Sequence, residues 1–92
     1  MGDLVMAPFT IRYDAGGDVL YLTTTPGAPA STQEGEPGVL WRYDERDGAL
    51  IGVTILDFAE VWRGRERRLA ELISARFGVT CDEALAALPT LQ

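Results

Sequence analysis

The first half of the chain carries four short segments with the hydrophobic pattern of β-strands. FTIRYD (9–14), GVLWRYD (38–44) and ALIGVTIL (49–56) alternate apolar with other residues at a period of two, and DVLYLTT (18–24) is apolar on both sides. Successive side chains of a strand point to opposite faces of a sheet, which produces this period. The pattern predicts four strands. We expect one face of their sheet, lined by Phe9, Ile11, Trp41, Val53 and Ile55, to be covered by helices from the second half of the chain.

Glycine-containing turns join these segments into two hairpins. AGG (15–17) separates the first two segments and DERDG (44–48) separates the last two. Glycine tolerates the positive φ angles that tight hairpin loops require. The connector PGAPASTQEGEPG (26–38) carries three prolines. We expect a short extended piece near residues 31–34 and mobility elsewhere in this connector.

The second half has the spacing of helices. RERRLAELISARFG (65–78) places apolar residues on one helical face, and Gly78 stands where a left-handed residue ends a helix. TCDE (80–83) is a capping box that starts a short helix through Leu88, ended by Pro89. The prediction is a single α+β domain over residues 1–92. It has a four-stranded antiparallel sheet (9–58) with C-terminal helices (62–92) packed on one face.

Composition indicates one globular domain without a membrane span. The chain has 92 residues, of which 47% are hydrophobic, and no apolar run approaches the roughly 20 residues of a spanning helix. The single cysteine, Cys81, has no partner for an internal disulfide, which agrees with a reducing compartment. We therefore expect a cytoplasmic protein.

Charge is acidic and unevenly distributed. The chain has 14 acidic residues against 8 arginines, giving a net charge of −6. Residues 1–60 hold ten acids and three arginines, whereas residues 61–92 hold four acids and five arginines. This balance argues against nucleic-acid binding, which depends on neutralising phosphates. It favours an acidic sheet half that meets a basic protein.

Missing residue types exclude most familiar enzyme mechanisms. Without histidine, the chain has no Ser-His-Asp triad and none of the usual zinc ligand sets. It also has no phosphate-binding loop, G-x-G-x-x-G or C-x-x-C motif. We predict no cofactor and no catalytic residue.

Asp14 and Asp18 flank the double glycine of the first hairpin. An aspartate in a turn caps nearby backbone N–H groups, and this is the favoured interpretation. The alternative is a carboxylate pair that meets a third carboxylate from Asp44, Asp47 or Asp57 and binds a hard cation.

Further candidate contact residues lie on the strands and the helical half. Asp57, at the end of the last strand, could act as an acid or base beside Tyr21 or another tyrosine, although tyrosines at a period of two favour core packing. Arginines clustered in the helical half are candidate partner contacts: Arg63, Arg65, Arg67 and Arg68. The helical half also has the spacing of a helix-turn-helix, a DNA-binding motif. Asp82 and Glu83 would then face DNA phosphates, which is electrostatically unfavourable.

Several of these segments resemble the bacterial domain-of-unknown-function family 2283. The resemblance rests on Tyr13-Asp14, the Asp-Val-Leu-Tyr-Leu strand at 18–22, the Asp44 and Gly48 turn, and the strand IGVTILD at 51–57. It covers about residues 11–58. Thr54 stands where the family commonly has an acidic residue, and the tail from Trp62 is an extension.

The family resemblance implies a small sheet domain and brings no known activity. Some members resemble genes found beside small toxin genes, which hints at an antitoxin role. The resulting hypothesis is a non-enzymatic protein-interaction module, with the antitoxin of a small basic toxin as one interpretation. An enzyme or ligand binder using Asp14, Asp18, Asp57 and the tyrosines stays open as the alternative.

The strand pattern also predicts a homodimer. One helical layer covers only one face of the sheet, which leaves Leu40, Leu50, Leu56 and part of the second strand as an apolar surface. Two copies related by a twofold axis would bury this surface, with residues 63–68 of one chain near the acidic turns of the other.

Overall fold

One antiparallel sheet and three helices make up the part of the chain that the structure describes. The computed structural model covers residues 4–6 and 8–89. In chain order its elements are β1 (Leu4–Met6), β2 (Phe9–Asp14), β3 (Val19–Thr23), β4 (Ala30–Glu34), β5 (Val39–Asp44), β6 (Leu50–Leu56), α1 (Phe58–Trp62), α2 (Glu66–Phe77) and α3 (Cys81–Ala86). The predicted α+β class with an antiparallel sheet and helices is confirmed.

The prediction of four strands was wrong. Five strands lie between Phe9 and Leu56, and β1 adds a sixth, giving the order β1-β2-β3-β6-β5-β4. The additional strand in the connector is β4, which contains the extended piece expected near residues 31–34. Its sequence ASTQE has no apolar alternation because β4 is an edge strand that is mostly exposed. Hydrophobic periodicity therefore misses it.

The pairing of β3 with β6 joins the two predicted hairpins into one sheet, and the helices cover one face of it. In this pairing Val19 lies opposite Leu56 and Tyr21 opposite Thr54. The core contains the five residues predicted for the covered face, together with Leu20 and Leu22 from β3. From the helices it receives Phe58, Trp62, Leu69, Ala70, Ile73, Ala84 and Ala87.

A bulge in β6 changes which side chains face the helices. The register shifts at Arg42 and Tyr43, so that Arg42 pairs with Gly52 and Tyr43 pairs with Leu50. Leu50 consequently packs against the core and Ile51 lies outside the core cluster. The prediction that Leu50 belongs to the uncovered face was wrong, because the bulge reverses the alternation beyond that point.

The helix signals hold, with small shifts of boundary. Gly78 ends α2 at a φ of 73°, and the predicted capping box of Thr80 and Glu83 starts α3. The last helix ends at Ala86, earlier than the predicted Leu88. The sequence pattern did not predict α1, whose five residues are too few to show a helical period. None of the helices in the described ranges is long and apolar enough to cross a membrane.

Candidate functional site

Asp18 holds the start of α1. Its carboxylate accepts hydrogen bonds from the backbone N–H of Ala59 (2.7 Å) and of Glu60 (3.1 Å), and its carbonyl oxygen accepts from Phe58 N–H (3.0 Å). Asp57, the residue before the helix, makes no side-chain cap. Because the first N–H groups of a helix have no partner within it, Asp18 performs from a distant turn the role usually taken by the N-cap residue.

The same carboxylate pairs with a tyrosine. The hydroxyl of Tyr13 donates to Asp18 Oδ1 at 2.7 Å. The N–H of Ala59 and then the Tyr13 hydroxyl hold the pKa of Asp18 below its usual value. In return, the bond to Asp18 raises the pKa of Tyr13. Near neutral pH the pair is thus a fixed anion beside a neutral phenol.

The remaining turn carboxylates are also engaged by nearby groups. Asp14 accepts the N–H of Gly17 at 3.3 Å, and Asp47 accepts the N–H of Ala49 at 2.9 Å. Asp44, whose side chain is only 5% exposed, accepts two hydrogen bonds from the Arg46 guanidinium, at 2.9 and 2.7 Å, and one from the Arg46 backbone at 2.8 Å. Their bonding is that of turn-stabilising side chains.

The Asp44–Arg46 pair makes the free energy of unfolding depend on pH in the acid range. The Arg46 guanidinium and backbone N–H lower the pKa of Asp44 from 3.8 to about 2. A lowered folded-state pKa stabilises the fold above the unfolded pKa, and this contribution is lost as the pH falls through the folded value. We expect the urea midpoint of the wild type to exceed that of Asp44→Asn by a constant amount above about pH 5. The gap should narrow from about pH 4 towards pH 2.

A matched variant tests whether that pH dependence belongs to the ion pair. Glu45→Gln removes an exposed carboxylate from the same turn, so its midpoint should follow the wild type throughout. A gap between wild type and Asp44→Asn that stays the same from pH 6 to about pH 2 would contradict the assigned pairing.

Asp57 and Tyr21, the other acidic and aromatic candidates, are not among the hydrogen-bond partners of the Asp18 carboxylate. Asp57 is exposed and adopts a left-handed φ of 53°. Tyr13 packs against the core, whereas Tyr21 is one of the positions alternating away from buried Leu20 and Leu22, so it lies on the other face of the sheet. Within residues 4–6 and 8–89, no group of three or more Cys, Asp or Glu side chains is placed to hold a metal ion.

The four candidate arginines lie around α1 and α2 and all are exposed. The guanidinium of Arg65 stacks over the Trp62 ring at 5.0 Å. Arg67 lies 4.0 Å from the sulfur of Cys81, and Arg68 lies 3.7 Å from Glu71. Their predicted contact with a partner chain stays a prediction.

The sheet face turned away from the helices, called the open face below, carries an ordered row of side chains. Strand pairing places five residues side by side across five strands, from β2 to β4. This central row consists, in order, of Arg12, Tyr21, Thr54, Leu40 and Glu34. It has an arginine at one end, a glutamate at the other and larger apolar groups on either side of a threonine.

The rows next to the central row differ in character. On one side Val19 pairs with Leu56, which is 39% exposed. On the other side Gly52 lies between Thr23 and Arg42. Here the sheet borders an open cavity of about 200 Å³, lined by Thr23, Thr25, Gly27, Ala28, Arg42, Ile51 and Gly52. The open face is therefore apolar at its middle and polar towards its borders.

From the central row, the sequence predicts Tyr21 as a candidate contact and Leu40 as part of the uncovered apolar surface, but neither charged end. The alternation of β2 does place Arg12 opposite the core side chains. The position of Glu34 at the far end depends on β4, which has no hydrophobic pattern. The row is visible only once the strand order is known.

The comparisons with known proteins give one family match. The family model described as "Protein of unknown function (DUF2283)" matches residues 10–58, just over half of the chain. No curated protein and no solved structure matches. The matched range runs from β2 to the start of α1, and it therefore includes the Asp18 turn and the central row.

Proposed function

Because the chain belongs to the DUF2283 family, whose description assigns no function, we propose a function from the geometry. The protein is a non-enzymatic protein-interaction module that pairs with a second copy of itself through the open face. The observation that carries this proposal is the partly exposed apolar surface of that face around the end of β6. Leu56 is 39% exposed there, beside half-buried Val19, Tyr21 and Leu40.

The carboxylate bonding supports a binding role over catalysis. A general acid or base needs a carboxylate that can reach a substrate proton. Asp18 and Asp44 instead each accept three hydrogen bonds from the chain itself. Asp14 binds its own turn. These contacts favour structural roles for Asp14, Asp18 and Asp44.

A second copy is an occupant that suits the open face. Two sheets pack face to face at a spacing of about 10 Å with interdigitating side chains. Such packing would bury Leu56 and Tyr21 between the two sheets and keep the charged ends of the central row to either side of these apolar residues. Specific interfaces have this arrangement of apolar core and polar rim.

The experiment is sedimentation equilibrium of the wild type and two matched variants. The chain has a mass of 10.0 kDa, so the wild type should sediment at twice this mass at micromolar concentration. Leu56→Glu should shift the protein to monomer, because it places a carboxylate among the apolar side chains that the interface buries. Val61→Glu should leave the dimer intact, since Val61 is equally exposed, at 39%, but lies on α1 in the helical layer.

The outcome is clear in both directions. A wild type that sediments as a monomer at high micromolar concentration would overturn the proposal. Equal effects of the Leu56 and Val61 variants would assign association to another surface.

The acidic charge of the sheet half favours a small basic protein as an additional partner. Residues 1–60 carry ten acids and three arginines, and several of the acids lie in exposed turns at the sheet ends, among them Asp14, Glu45 and Asp47. A toxin of high isoelectric point would be such a partner. Co-purification of a basic protein from the native host, lost on raising the salt concentration, would support this role.

A further inference from the structure

The central row of the open face is antisymmetric in charge. Arg12 lies at the β2 end and Glu34 at the β4 end, four strand positions away. Strands are spaced by about 4.8 Å, so the two charges are separated by roughly 19 Å across the sheet. Thr54 on β6 occupies the middle of the row, with two positions on each side of it. A twofold axis that passes over Thr54 therefore maps the row onto itself.

Two aligned face-to-face arrangements have such an axis. If the axis runs along the row, each residue faces its own copy, and Arg12 meets the partner's Arg12. If the axis runs along β6, the row is reversed, and Arg12 meets the partner's Glu34 while Tyr21 meets the partner's Leu40. The strand directions of the two sheets then stay within the roughly 30° typical of aligned sheets. Like charges oppose the first arrangement and opposite charges favour the second.

We propose that two copies dock through their open faces about a twofold axis parallel to β6, with Arg12 of each chain paired to Glu34 of the other. This inference rests on the proposed self-association and specifies its geometry. Thr54 and Leu56 of β6 lie on the axis, and one ion pair lies on each side of it. Arg12 and Glu34 are thus residues that determine orientation and partner specificity.

The local contacts prepare both side chains for this pairing. The guanidinium of Arg12 lies 5.8 Å from the centre of the Tyr21 ring, which keeps it over the open face. One oxygen of Glu34 accepts the N–H of Gly38 at 3.1 Å. Within the described residues neither side chain takes part in an ion pair.

Charge reversal tests the geometry directly. Arg12→Glu places two like-charge contacts in the homodimer, and so does Glu34→Arg. Each variant alone should dimerise about tenfold more weakly than the wild type, because two modest attractions between exposed charges become two repulsions. Mixed in equal amounts, the two variants regain opposite charges at both contacts. The mixture should form a heterodimer with near wild-type affinity, measured by sedimentation of one fluorescently labelled variant.

Net charge alone predicts a different result, which makes the test specific. The chain carries −6, so Arg12→Glu gives −8 and Glu34→Arg gives −4. If repulsion between acidic chains controlled association, Glu34→Arg would bind more tightly than the wild type. Docking about β6 requires it to bind more weakly. Glu71→Arg changes the net charge by the same amount as Glu34→Arg, at an exposed α2 position, and should leave the dimer unchanged.

Folding is controlled with circular dichroism and a milder substitution. Glu34→Gln retains an oxygen that accepts the Gly38 N–H. Its melting temperature should therefore equal that of the wild type at concentrations where both are monomeric, while its dimer weakens severalfold. Suppose that the wild type dimerises, that Glu34→Gln does not weaken the dimer, and that mixing the two charge-reversal variants does not restore it. The docking geometry is then wrong and self-association stands. If the wild type remains monomeric, both are overturned.

Discussion

Gly52→Ala should destabilise the fold by about 2–4 kcal/mol and lower the melting temperature by roughly 10–20 °C. A Cβ at position 52 would lie 2.7 Å from the carbonyl oxygen of Leu22 and 3.5 Å from the Cα of Thr23. Both groups belong to the backbone of β3, which pairs with β6 at the centre of the sheet. Neither can rotate away, so the two strands would have to separate at the bulge.

The matched control is Gly16→Ala in the β2–β3 turn. A Cβ there would meet only Asp14 Oδ1, at an ordinary contact distance of 3.5 Å, and Gly16 has no positive φ. This variant should change stability by less than about 1 kcal/mol in thermal or urea unfolding. Equal melting temperatures for the two variants would show that β3 does not approach β6 as closely as the structure places it.

The predictable part of the fold is the part with a buried face. The strands β2, β3 and β5 bury alternate positions and β6 buries five successive residues. All four segments are recognisable in the sequence by their apolar residues. By contrast, β4 is paired on one side only and presents ASTQE almost entirely to solvent. Its backbone hydrogen bonds to β5 hold it in place, and these leave no trace in side-chain hydrophobicity.

The bulge shows why a strand can be predicted correctly while the sheet face of its side chains is not. ALIGVTIL alternates without interruption, so the pattern assigns Leu50 to the same face as Leu56. The shift at Arg42 and Tyr43 inserts a residue and turns Leu50 towards the core. Gly52, beside this shift, is a signal that sequence reasoning could use, because glycine within a strand often marks a bulge or a close backbone approach.

The site residues divide in the same way between local and distant causes. Asp14 interacts with Gly17 three residues away, so turn chemistry predicts it. Asp18 was expected to cap nearby N–H groups, and it does cap backbone N–H groups, but those of Ala59 and Glu60, 41 and 42 residues along the chain. The placement of Arg12 and Glu34 at opposite ends of the central row likewise depends on four strand pairings. Only the three-dimensional structure reveals such placements.

Asp18→Ala is expected to lower the melting temperature by roughly 5–15 °C. It removes the acceptor for Tyr13, Ala59 and Glu60 together and leaves the N–H groups at the start of α1 without their cap. It also places alanine at a φ of 55°, which L-residues other than asparagine and aspartate seldom adopt. Asp18→Asn tolerates this φ and retains one acceptor oxygen, so its loss should be smaller. Asp14→Ala, which loses one 3.3 Å bond on the surface, is the control and should change little.

Titration separates this explanation from a general loss of packing. The hydrogen bond to Asp18 contributes most to the raised pKa of Tyr13. Asp18→Asn should therefore bring the pKa of Tyr13 back towards 10, which tyrosinate absorbance measures. Since the pKa of Asp18 is lowered, its contribution to stability is present above about pH 4 and lost as the pH falls below that value. Since the pKa of Tyr13 is raised, its contribution is present below about pH 10 and lost as the pH rises through the folded value. The difference between the urea midpoints of wild type and Asp18→Asn should therefore be largest between these limits and should shrink below them. Above them it should shrink only in part, because the Ala59 and Glu60 N–H bonds to Asp18 remain. An unchanged tyrosine titration together with a gap that does not vary with pH would show that Asp18 stabilises α1 without the Tyr13 bond.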